Sequence, residues 1–508
     1  MRTLKDGWGG RYQVLVSALC VVFMRGALAR TYPSPRLAYA GNCAGCHLFS
    51  GAGIPNQVPR LRGFVGYFMH TAEGRAYVAR APDVENSPLS SEKLADLLNW
   101  MLRRYSAAQL PVDFRPYTAA EVAALRTRPM LDMAVERKRA LRLASSQQTT
   151  IPDAAPVVTL PAPKAHWVYI VDPSPSLVVT NVMVVDGDSG RYLGTITSGY
   201  LANFLMTPDG QTIYTSATYY SRVVRGTRTD VITAYDPRTL APLKEKVLAN
   251  GRFLSPGKKY ALSLSTDGRY LFSANLRPAT SVSIIDLPRL TFVKEIDTPG
   301  CALAYPTGAA SFASICGNGV LMNVSIASNG VVSKSLTNRF FDPDTDPVFD
   351  APAIVHGAGT FYFVSYGGRI FPVEREHGQA IPRPSWSFIS KALRKANWRT
   401  GGYYQLLALN PQLGRLYVLM HQGGQWSQKD SGTEVWVLDI RTHRVVARDP
   451  LVRPADAIAV TLDERPLLFA IKDGALEVYR IGGDALTHLR EVTRVGTEAS
   501  FLSVPGEG

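Results

Sequence analysis

Cysteine is scarce, with five in 508 residues. That excludes a small disulfide-built scaffold, which needs far more cysteine per residue. Long apolar runs are missing beyond the first thirty residues, and no later segment has the roughly 20 apolar residues a membrane-spanning helix needs. Stable membrane insertion is therefore not expected. Acidic residues are the minority charge, 41 Asp and Glu against 55 Lys and Arg, for a formal charge of +14. An excess of basic residues can mark nucleic-acid binding, but the N-terminus points away from it. Arg2, Lys5 and Arg11 precede an apolar run at residues 12–24, and Ala27-Leu28-Ala29 has the small-x-small pattern of a cleavage site. This is the layout of an export signal over residues 1–29. The expected location is the periplasm, where nucleic acid is not a partner and basic charge instead steers toward an acidic protein.

What is present is turn-rich and globular: 46% hydrophobic residues, 10% aromatic, 42 Gly and 34 Pro. This composition suits a folded, β-rich chain rather than a disordered one.

Cys20 leaves with the signal, so four cysteines remain. Cys43-Ala44-Gly45-Cys46-His47 places two thiols and an imidazole within five residues. Zinc would need two further ligands at matching spacing. A thioredoxin-like pair would sit at a strand-to-helix junction that the surroundings do not suggest. Covalent haem c needs two thiols for thioether bonds and an adjacent His for the iron, which is the set found here. Cys301 and Cys316, left over in an oxidising compartment, form a structural disulfide by default, with two free thiols as the alternative.

The segment after the motif continues the theme. Pro59-Arg60-Leu61-Arg62-Gly63 follows His47, and Ser90 caps a helix whose apolar face is Leu94, Leu97, Leu98, Met101 and Leu102. Residues 32–110 resemble the small single-haem cytochromes c, with the Pro-x-Leu-x-Gly segment beside the proximal His and a last helix closing the pocket. The resemblance implies a Met as sixth ligand in the loop at residues 79–88, but no Met stands there. Met69 and His70 are the nearest candidates; Met69 is carried forward beside His47 as an iron ligand, with His70, or a plain helix-face role for either residue, as the alternative.

Thr118-Ala119-Ala120-Glu121 reads as a capping box, opening a helix that breaks near Pro129. A Ser/Thr/Pro-rich linker follows at residues 145–163. Then short strands take over. An apolar strand ending in Asp recurs at Asp186, Asp236, Asp286 and Asp439, spaced by about 50 residues or three times that. A second series, "MTPDGQTIY", "STDGRYLF", "NPQLGRLY" and "TLDERPLL", reads as hairpins. This period predicts an all-β seven-bladed β-propeller over residues 164–508. Ahead of it come a small all-α cytochrome c domain at 30–112 and a helix-plus-linker segment at 113–163.

Within the propeller, "YIVDP", "VVDGDSGRYLGTITSGYL", "YSRVVRGTRTDVITAYDPRTLAP", "NWRTGGYYQ" and "ERPLLFAI" closely resemble the heavy subunit of the quinoprotein amine dehydrogenases, the methylamine and aromatic amine enzymes. The resemblance implies a non-catalytic scaffold. The catalytic cofactor, tryptophan tryptophylquinone, is then carried by a separate, disulfide-rich small subunit, and the resemblance implies a heterotetramer. It implies the Cys301–Cys316 disulfide and puts Tyr200, in "SGYLANF", at the substrate entrance. Arg222, Arg225, Arg228 and Asp230 are expected to make structural ion pairs. Two departures stand out: the usual heavy subunit carries no haem domain, and Thr400 and Tyr403-Tyr404 replace a more usual Pro and Trp-Gln.

The leading expectation is a haem-bearing large subunit that accepts electrons from its quinone-bearing partner. A cytochrome or blue-copper protein would serve as downstream carrier. The alternatives are a self-sufficient cytochrome-plus-propeller enzyme of the nitrite reductase type, drawing on His356, His377 or His421, and a propeller used only for binding.

Overall fold

The structure is a computed structural model. It describes residues 34–507 apart from 55–57, 129, 131–132, 147–159, 174–178, 223–224, 249–250, 256–257, 278, 288 and 498–500. The expected export signal, with Cys20, and most of the expected linker lie outside the described residues. The chain forms two compact units, one from the N-terminal helices and one from residue 157 onward.

The first unit is helical. Helix α1 (Pro35–Asn42) is capped by Ser34, whose side chain accepts from the Leu37 N–H. A four-residue turn, α2 (Ala44–His47), follows at once. A 3₁₀ turn at Val65–His70 leads into α3 (Ala72–Arg80), capped by Thr71, and the short α4 (Pro82–Glu85). Helix α5 (Ser91–Ser106) starts where its Ser90 cap predicts, and its five predicted apolar residues are all buried. It packs against α1.

Helix α6 (Ala119–Arg126) keeps only half of its expected capping box. Thr118 caps the Glu121 N–H, but the Glu121 carboxylate turns to Arg75 at 2.5 Å. A charged bond to a half-buried guanidinium competes better than a second bond to the backbone. Helix α7 (Met133–Ser146) buries Ala140 and Ala144, and Arg137 lies over the Phe64 ring. Both helices are therefore part of the helical unit's packing.

The second unit is a β-propeller of seven antiparallel sheets. The strand at Phe501–Ser503 returns to pair with Trp167–Asp172, so the first blade is closed by the end of the chain. The core runs between blades: Tyr169 stacks on Phe204 at 5.4 Å and Phe272 meets Phe312 at 5.2 Å.

The repeated acids have a local task. Asp186, Asp236 and Asp439 end third strands and accept backbone N–H groups two or three residues on, fixing the turn to the fourth strand. Asp209, Asp267 and Asp463 do the same between first and second strands, each also bonded at 2.6 Å to a Thr or Ser hydroxyl two residues earlier.

Candidate functional site

Helix α1 ends at Cys43, whose N–H still donates to Tyr39. The His47 N–H donates to Cys43 at 2.9 Å. Cys43 and His47 are thus one helical turn apart with Cys46 between them, which puts all three on one face. His47 Nδ1 lies 2.8 Å from the Pro59 carbonyl. A carbonyl only accepts, so Nδ1 carries the proton and Nε2 the lone pair, the tautomer that a metal-ligating imidazole needs.

Beneath the motif lies an aromatic group. Tyr39 is fully buried, with ring centroids 5.1 Å from Tyr105 and 5.6 Å from Trp100. Burial, then the neighbouring Tyr105 and Cys43, push the Tyr39 hydroxyl well above its usual range, and burial takes Tyr105 up to about 12. Both phenols stay neutral donors at any physiological pH. Of the two residues considered for the sixth position, His70 has Nε2 bound to the Gln109 carbonyl at 2.9 Å. Met69 is buried in the 3₁₀ turn.

In the propeller, Cys301 and Cys316 are register partners on adjacent strands and are joined by a disulfide. Tyr200 opens the innermost strand of the second blade, Tyr200–Met206. Arg228 pairs with the buried Asp230 at 3.0 Å, a structural ion pair as expected, while Arg222 and Arg225 face each other at the exposed tip of a long hairpin. The three histidines weighed for an enzyme of the nitrite reductase type do not converge. His377 sits at an exposed turn with positive φ, and His421 is buried with Nε2 on Ser427. His356 gives its backbone N–H to the Glu507 carbonyl.

The family model described as methylamine dehydrogenase heavy chain (MADH) matches residues 164–504. The chain belongs to the methylamine dehydrogenase heavy chain family. The methylamine dehydrogenase heavy chain of Methylobacillus flagellatus is 31% identical over 315 residues, 62% of this chain and 78% of that protein. The heavy chain of Paracoccus versutus is 30% identical over 352 residues, 69% of this chain and 82% of that one. A further match is cytochrome c-552 of Thermus thermophilus, 30% identical over 141 residues, 24% of this chain and 95% of that protein.

Family membership gives the departures a physical reading. Thr400 donates through Oγ1 to the Ser365 and Tyr366 carbonyls, tying the sixth blade to the fifth. Tyr403 and Tyr404 point their backbone N–H groups at the Asp456 carbonyl, which leaves the Tyr403 ring exposed. Arg252 was not singled out in the sequence. It is buried with its guanidinium on the Tyr200 carbonyl, and a lone Arg after Gly251 carries no local signal of that placement.

Proposed function

We propose that this chain is the haem-bearing large subunit of a periplasmic quinoprotein amine dehydrogenase. In this reading it is a scaffold for a small subunit that carries tryptophan tryptophylquinone, and it accepts that subunit's electrons. The observation that carries the reading is the His47 Nδ1–Pro59 contact beside two thiols on one helical face, in a chain whose propeller is of the heavy-chain family.

The residues fit haem c. Cys43 and Cys46 would hold it through thioether bonds and His47 Nε2 would ligate the iron. Met69 would be the second iron ligand in preference to His70, whose Nε2 is engaged with the Gln109 carbonyl. Haem bound there supplies one-electron acceptance. The chain's own residues do the rest: the Pro59 carbonyl holds the imidazole proton and fixes the ring, and Tyr39, Tyr105 and Trp100 pack as one aromatic group next to the motif. Among the described residues no helix is long and apolar enough to cross a membrane.

The test is purification with and without a co-expressed small subunit. The chain alone should carry one haem by pyridine haemochrome assay and fail to reduce dye with amine. The complex should carry the haem and reduce the dye when amine is added. Amine oxidation by the chain alone would refute the division of labour.

A further inference from the structure

The inner strand of the second blade does not run straight past Tyr200. Tyr200 pairs with Thr218, yet Asn203 pairs with Ser216, so one extra residue is inserted between them. That is a β-bulge, a device that re-aims a side chain. Inside it, Leu201 has φ 47°, a left-handed conformation that an unforced leucine avoids. Gly199 precedes it, and a Cβ there would meet the Thr218 carbonyl at 2.6 Å. The bulge is thus strained and tightly seated.

Something must hold it, and the holder is Arg252. This residue stands on the short strand Gly251–Arg252 of the next blade and is 1% exposed. Its guanidinium donates to the carbonyls of Tyr200 and Leu201, to Asn203 Oδ1 at 3.0 Å, to Thr218 Oγ1 at 3.0 Å and to Ser216 Oγ at 3.2 Å. Two of these acceptors are main-chain oxygens of the bulge and the rest line the strands on either side of it. Asp230 stands beside it, accepting from the Arg252 backbone N–H at 3.1 Å and from Arg228 Nε at 3.1 Å, and its carboxylate favours the guanidinium charge that burial opposes. Only a planar fork with five donors can satisfy this set, so lysine is not an equivalent.

We propose that Arg252 is a positioning residue for Tyr200: by clamping the Tyr200–Leu201 bulge it sets the orientation of the Tyr200 ring, and through it which amines reach the active site of the assembled enzyme. This rests on the reading of Tyr200 as part of the substrate entrance. Arg252 touches no substrate and acts only through the bulge.

The experiment uses the haem-loaded complex with its small subunit and two probes, methylamine and butylamine. The readout is the ratio of their kcat/KM values, with kcat and KM reported separately. Tyr200→Ala should shift the ratio about tenfold, and Arg252→Lys about threefold in the same direction, chiefly through KM. The double variant should shift it no further than Tyr200→Ala alone, because both changes act on one element. Leu201→Gly, which relieves the backbone strain without disturbing the buried charges, should shift the ratio the same way and serves if Arg252→Lys fails to assemble. A ratio unchanged in Arg252→Lys and Leu201→Gly, with Tyr200→Ala still shifting it, would overturn the positioning role alone. A ratio unchanged in Tyr200→Ala would remove the entrance reading, and the proposal with it.

Discussion

In the helical unit the chemistry is consecutive in sequence, whereas in the propeller it is assembled from afar. Cys43, Cys46 and His47 share one helical turn, and the Pro59 carbonyl meets His47 from twelve residues further on. Tyr200, Asp230 and Arg252 come from three strands in two blades and meet only once the sheets form. A short helix can present three side chains on one face with no help from tertiary structure. A repeat protein spends most residues on sameness, so its special residues sit where the repeat is broken. The Leu201 bulge is such a break.

The comparison can be broken most severely at the haem motif. Cys43→Ser with Cys46→Ser should abolish covalent haem altogether. The thermal unfolding transition of the propeller, followed by far-ultraviolet circular dichroism, should not move. Loss of the β transition along with the haem would mean that the two units do not fold separately.

The next largest effect is expected at Asp230. Asp230→Ala breaks the ion pair with Arg228 and removes the carboxylate whose field favours the buried Arg252 charge, and should cost about 3–5 kcal/mol. Urea unfolding of the propeller transition measures it, and a loss below about 1 kcal/mol, the scale of an exposed pair, would contradict the buried network.

The disulfide comes third. Cys301→Ser with Cys316→Ser opens a loop with a sequence separation of 15 residues, worth about 3 kcal/mol by loop-closure entropy. Denatured, unreduced, haem-loaded protein should show no titratable thiol. Two reactive thiols would contradict the bond.

The smallest effect is a pH dependence at the seam between the first and last blades. His166 Nδ1 lies 2.7 Å from Asp188 and Nε2 3.0 Å from Asp463. Burial works to lower its pKa, but the bonds to the two carboxylates outweigh it and the pKa is raised. The stabilisation is therefore complete below the unfolded value of about 6.5 and is lost as pH rises through the raised folded value. The Tm difference between wild type and His166→Gln should be largest in acid and shrink above neutrality. A difference that grows with pH would contradict the ion pairs.

How much of this was legible in the sequence depended on turn chemistry. Asp186, Asp236 and Asp439 announced their blades because each aspartate bonds the backbone of its own turn. The region between residues 300 and 400 was poorly patterned because other devices replace that aspartate. The fourth blade turns at Asn329 and Gly330, of which Gly330 has positive φ, and the fifth at His377 and Gly378, where both residues do. The inner edge of the fifth blade is reduced to isolated bridges, Val348 to Ser365 and Ala353 to Tyr362. The Cys43–His47 motif was plain in the sequence because its three residues lie within five positions. Tyr200 was found through family resemblance and Arg252 not at all, since nothing in "GRF" reports five acceptors on the neighbouring blade.

The central claim is that amine electrons reach this chain. The direct measurement is anaerobic stopped-flow of the assembled, oxidised complex, following the haem absorption bands after amine is added with no external acceptor. One amine supplies two electrons and the haem takes one. The account predicts that the haem becomes reduced in the first turnover, and that His47→Ala removes this signal while amine still reduces the partner's quinone. Quinone reduction with the wild-type haem remaining oxidised would contradict it.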